Sequence, residues 1–131
     1  MENSPKNWKK LFTQTTITSY FLGFVVIWFG VNEIFFPTNW VGFAPSFLGY
    51  GSLALSLVVG HGLILTLAGI MLVLGFYRRL AALVLAIIFL EIIVDLLIGQ
   101  IAGDIIVRDI GLWGMSLALL FPSKVSTAAS S

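Results

Sequence analysis

The stretch LAALVLAIIFLEIIVDLLI, residues 80–98, decides how this chain is read. As a helix rising about 1.5 Å per residue it is long enough to cross a hydrocarbon core of about 30 Å. Yet it carries two acids, Glu91 and Asp95, one helical turn apart and on nearly one face. Carboxylates at membrane depth are costly and are rarely left facing lipid. The rest of the chain is therefore read by asking what faces them.

Working outward, 59% of the 131 residues are hydrophobic and 10% are charged, with a mean hydropathy of +1.05. The surface of a soluble domain of this size needs far more charge. The expected fold is all-α, a single integral membrane four-helix bundle. A net charge of +1 gives no reason to expect nucleic acid as a partner. With no cysteine and one histidine, a dithiol redox centre, a thiolate zinc site, a disulfide and a bis-histidine haem are excluded within this chain alone. Neither haem nor iron–sulfur cluster is expected in it, and no metal site.

Residues 1–16 are polar, with Lys6, Lys9 and Lys10 interleaved with Trp8, Leu11 and Phe12. They read as a short interfacial segment. Spans are expected at about 17–36, 53–76, 80–98 and 105–121, within a domain covering 17–122. In the first, Gly23 and Gly30 share a face and mark close helix contact. Pro37 stops that span, and the uncharged, aromatic segment 37–52 reads as a loop at the membrane interface, anchored by Trp40, Phe43, Phe47 and Tyr50. The link at Tyr77, Arg78 and Arg79 is so short that the second and third spans must be antiparallel neighbours. Residues 123–131 read as a disordered tail. Lys6, Lys9, Lys10, Arg78, Arg79 and Lys124 fall on one side of the four spans, which places both termini in the cytoplasm of a cell-membrane protein.

Counting residues from the nearest cytoplasmic charge gives depths. Glu91 is 12 residues beyond Arg79 and Asp95 is 16, or about 18 and 24 Å at helical rise. His61 and Arg108 come out at about 25 and 24 Å, and Glu33 ends the first span. Every expected span thus sends an ionisable residue into the outer half. An outward-facing polar pocket follows, with Glu33, His61, Glu91, Asp95 and Arg108 as its residues and Trp40 and Phe43 as a lid. Arg108 is the expected first partner of the Glu91–Asp95 pair, because its planar fork can hold one carboxylate or bridge two. One cation cannot match every acid, so the others are paired, hydrated or protonated, and Glu91–Asp95 is a candidate for proton handling. Asp104 and Asp109 read as a helix N-cap and an exposed first-turn acid. The plainer alternative is that the buried charges pair among themselves and only fix helix register.

Several stretches resemble the DoxX family of small four-span membrane proteins. Gly23, then Trp28-Phe29-Gly30-Val31-Asn32-Glu33-Ile34-Phe35-Phe36-Pro37, then Trp40-Val41-Gly42-Phe43 resemble its first span and proline–tryptophan loop. Gly62-Leu63-Ile64-Leu65, Leu74-Gly75 and Tyr77-Arg78-Arg79-Leu80-Ala81-Ala82 resemble its Gly-rich second span, basic turn and Ala-rich third span, and Arg108-Asp109-Ile110-Gly111-Leu112 the start of its last. Many members carry a base where this chain has Glu33 and an acid where it has His61. The resemblance thus implies an acid–base pair exchanged between neighbouring helices. Some relatives are subunits of thiosulfate:quinone oxidoreductase or are linked to oxidative-stress complexes.

Three functions are compatible with these residues. The chain could be the membrane subunit of a quinone-linked oxidoreductase, with quinone as cofactor and an oxidoreductase partner as electron source. It could be a small proton-coupled transporter, expected to work as a homodimer, although the inner half offers no polar path. It could be a scaffold that docks a soluble partner through residues 37–52.

Overall fold

The structure, a computed structural model, describes residues 13–100 and 103–121. The described residues form helices and turns with no strand. The long elements are α1 (Gln14–Phe35), α3 (Ser52–Leu74), α4 (Arg78–Ile98) and α5 (Gly103–Leu120); α2 (Pro37–Trp40) is a single turn. Three of them, α1, α3 and α4, are long and apolar enough to cross a membrane. The 18-residue α5 carries Asp104, Arg108 and Asp109 and is not among these three. The expected interfacial segment falls mostly on residues 1–12, outside the described residues, as do the tail 123–131 and the lysines at 6, 9, 10 and 124.

Local chemistry sets the helix ends. Thr13 sits in extended backbone and its side chain accepts the Thr16 N–H, so α1 starts three residues earlier than expected. Pro37 ends α1 and opens α2. After α2 the aromatic loop makes two 3-10 turns, Val41–Phe43 and Ser46–Leu48, rather than running as open coil. Gly75 closes α3 in the left-handed region at φ 79°, and Tyr77 (φ 45°) turns the chain directly into α4.

The α1 helix packs along α3, and α4 along α5; α3 meets α4 and α1 meets α5 over shorter stretches. The core where they meet holds Leu22, Val26, Leu65, Leu72, Leu85, Phe89, Leu112 and Leu119. Facing outward are Phe21, Phe24, Trp28 and Phe35 of α1 and Leu63, Leu67 and Leu74 of α3, all large and exposed. A chain that shows such side chains all along its long helices needs an apolar surrounding, and helices satisfy their own backbone groups there.

The tightest packing is between α1 and α3. A Cβ on Gly23 would meet the Gly69 carbonyl at 2.9 Å, and one on Gly69 would meet the Gly23 carbonyl at 2.8 Å. One turn pair further along, a Cβ on Gly62 would meet the Gly30 carbonyl at 2.7 Å and the Glu33 Cβ at 2.8 Å. The two backbones therefore touch at two crossing points, each a glycine against a glycine, and the numbering runs in opposite directions on the two helices. Gly30→Val, which forces this contact apart, is expected to destabilise the fold by about 1–3 kcal/mol, the usual cost of overpacking. Gly111→Ala and Gly114→Ala, where a Cβ meets nothing within 4 Å, are expected to hold or slightly raise stability in a detergent unfolding assay, since alanine is the better helix former.

Candidate functional site

A cavity of about 950 Å³ opens at the end of the bundle away from the α3–α4 link. Its walls come from the second half of α1, the first half of α3, the second half of α4, the first turns of α5 and the aromatic loop. Glu33, His61, Glu91, Asp95 and Arg108 all line it, as do Trp40 and Phe43.

The glycine crossing places the first pair. Glu33 lies three residues beyond Gly30, and His61 directly precedes Gly62, so the close backbone contact sets them face to face. His61 Nδ1 lies 2.7 Å from Glu33 Oε2. Glu33 is 6% exposed, and His61 is half-buried at the cavity wall. Glu33 and His61 thus form an acid–base pair across α1 and α3. It consumes one ring nitrogen and leaves Nε2 without a hydrogen bond among the described residues.

The second pair departs from expectation. Arg108 does not reach Glu91 or Asp95. Its Nε donates to Asp109 Oδ1 at 2.8 Å, and its guanidinium lies 4.7 Å from the centre of the Phe29 ring. Stacking on an aromatic face suits the weakly hydrated guanidinium. Phe29 in turn meets Trp40 edge-on at 5.5 Å, and Trp40 meets Phe43 at 5.9 Å. The lid candidates are thus the far end of one continuous wall: Phe43, Trp40, Phe29, Arg108, Asp109.

Asp109 itself is the residue that sequence reasoning misplaced. It is 2% exposed, not a solvated first-turn acid. The signal was present: Asp109, Leu112, Ser116 and Leu119 recur at helical spacing and form the buried stripe of α5. Asp104 lies inside the first turn of α5 rather than capping it. Glu91 is exposed and Asp95 half-buried, and neither has an ion pair among the described residues. Phe47 and Tyr50, expected as anchors, stand outward, 86% and 81% exposed. Of the two, only Phe47 touches the cavity.

The arrangement offers an aromatic, largely apolar chamber with two anchored acid–base pairs and two carboxylates that have no ion pair among the described residues. It can hold a flat, amphipathic ligand, hydrogen-bond its polar atoms and exchange protons with it. Compared with family models, curated proteins and solved structures, the chain gives no significant match. An SDS-unfolding double-mutant cycle on Glu33→Gln and His61→Gln is expected to return a coupling of about 0.5–3 kcal/mol. The corresponding cycle on Arg108→Gln and Glu91→Gln should return none.

Proposed function

We propose that this chain is a DoxX-like, four-span protein of the cell membrane, with both termini cytoplasmic and α5 as its fourth span. In this reading it is the membrane subunit of a quinone-linked oxidoreductase system. The observation that carries the proposal is the cavity, where an aromatic wall ends on hydrogen-bonding side chains of four helices. Its volume is within the range of sites that enclose a ligand of quinone size. Phe29, Trp40 and Phe43 supply flat apolar surface for a quinone ring, and the opening lets an isoprenoid tail pass into the surrounding lipid.

His61 is the group proposed to meet a quinone carbonyl. Glu33 fixes the ring orientation through Nδ1, and Nε2 donates to the carbonyl when the ring carries both protons, as an imidazolium facing the Glu33 carboxylate. Reduction of a quinone takes up two electrons and two protons. The chain has no cysteine, and its one histidine is held by Glu33, so the electrons come from a partner protein. The protons pass through Glu91 and Asp95, which line the cavity with no ion pair among the described residues.

Purified protein should bind decylubiquinone in detergent or lipid nanodiscs, with His61→Ala or Asp95→Asn weakening binding by about tenfold, or roughly 1.4 kcal/mol. Absence of binding in both environments removes the proposal.

A further inference from the structure

The seam between α3 and α4 is closed near their link and open beside the cavity. On α3, Leu57, Ile64 and Ala68 fall on one face by helical spacing. Ala68, the nearest of them to the link, is buried, whereas Leu57 and Ile64 are each 49% exposed. On α4, Ala81, Ile88 and Asp95 fall on one face at seven-residue intervals. Ala81 and Ile88 are buried; Asp95 is half-buried, and Glu91, one turn before it, is exposed. The two helices run antiparallel from their short link, so both series lose cover in the same direction and the helices splay. Leu57, Ile64, Ile88, Glu91 and Asp95 all line the cavity, so the slot they border belongs to it. Gly60 lies between Leu57 and Ile64 and lines the cavity too, and a Cβ there would meet nothing within 4 Å.

Resting on the quinone reading above, we propose that this slot is the lateral mouth of the site, and that Gly60 sets its width: the hydrocarbon tail of the ligand leaves the cavity between α3 and α4, over Gly60. Three observations fit that occupant. Leu57, Gly60 and Ile64 give the α3 side of the slot an apolar surface, as a hydrocarbon chain requires. The outward faces of both helices beyond the slot are also apolar, with Leu63 and Leu67 on α3 and Leu90 and Val94 on α4 exposed, so a tail leaving this way stays out of water. The mouth toward the aromatic loop is bordered instead by the exposed polar residues Asn39 and Ser56. Finally, His61 directly follows Gly60. In a prenylated quinone the tail grows from the ring carbon beside a carbonyl, so a carbonyl held at His61 starts the tail at the edge of the slot. Gly60 is then a specificity-determining residue: with no side chain there, a branched chain can pass.

The test uses the full chain in lipid nanodiscs and decylubiquinone carrying a diazirine within the first few carbons of its tail. After irradiation, adducts are expected on Leu57, Ile64 and Ile88, located by fragmentation of the labelled peptides and suppressed by excess decylubiquinone. Competable adducts confined to the loop at residues 41–50, or to α1 and α5, overturn the inference while leaving the quinone site standing. In a parallel binding measurement Gly60→Trp, which fills the slot, is expected to weaken decylubiquinone about tenfold, and Leu63→Trp, on the outward face of α3, to leave it unchanged. Gly60→Trp binding as tightly as the unaltered chain also overturns the inference. The labelling pattern decides the matter even where that variant does not fold. Absence of any competable adduct removes the quinone reading, and this inference with it.

Discussion

The backbones of α1 and α3 touch at two points, and the candidate site follows from that contact. Gly23 faces Gly69 and Gly30 faces Gly62, with no side chain at either crossing able to hold the helices apart. In an apolar surrounding there is little hydrophobic gain from pressing one helix on another, so close backbone packing carries more of the association. The same contact fixes register. Once Gly30 lies on Gly62, Glu33 and His61 have to face each other, and their 2.7 Å contact is the consequence.

The remaining charges are arranged by two different solutions to one problem. Burying an ionisable group is tolerable when it is paired and hydrogen-bonded, and expensive when it is not. Glu33 is paired between helices. Asp109 is paired within its own helix by Arg108, whose guanidinium lies on Phe29 of α1 and so ties α5 to the first helix. Glu91 is exposed and Asp95 half-buried, and both border the cavity without an ion pair among the described residues. Of the four acids that line the cavity, two are thus paired and two have no ion pair among the described residues.

Residue counting along the helices was enough to gather Glu33, His61, Glu91, Asp95 and Arg108 at one end, because helical rise is nearly constant. Rotation about each axis was harder to read. The two glycines of α1 were legible as a contact face by their seven-residue spacing, and the basic turn at Arg78 and Arg79 as a tight link. Arg108 was assigned to Glu91 and Asp95 by charge and depth alone. Neighbouring positions on a helix point about 100° apart, so the choice between Arg108 and Asp109 as the inward residue needed the stripe formed by Leu112, Ser116 and Leu119. The flexible arginine then bends to its neighbour in sequence, a contact that i,i+1 spacing does not suggest. The aromatic loop shows the same limit: its composition singled out Trp40 and Phe43, but only the fold brings them ring against ring in line with Phe29.

Photoaffinity labelling with an azido-quinone in native membranes tests the central claim, that the cavity is the place where ligand sits, most directly. The account predicts adducts on peptides carrying Phe29, Trp40 and Phe43, suppressed by excess unlabelled quinone. Adducts confined to the outward-facing Phe21 and Phe24, and insensitive to competitor, would contradict it.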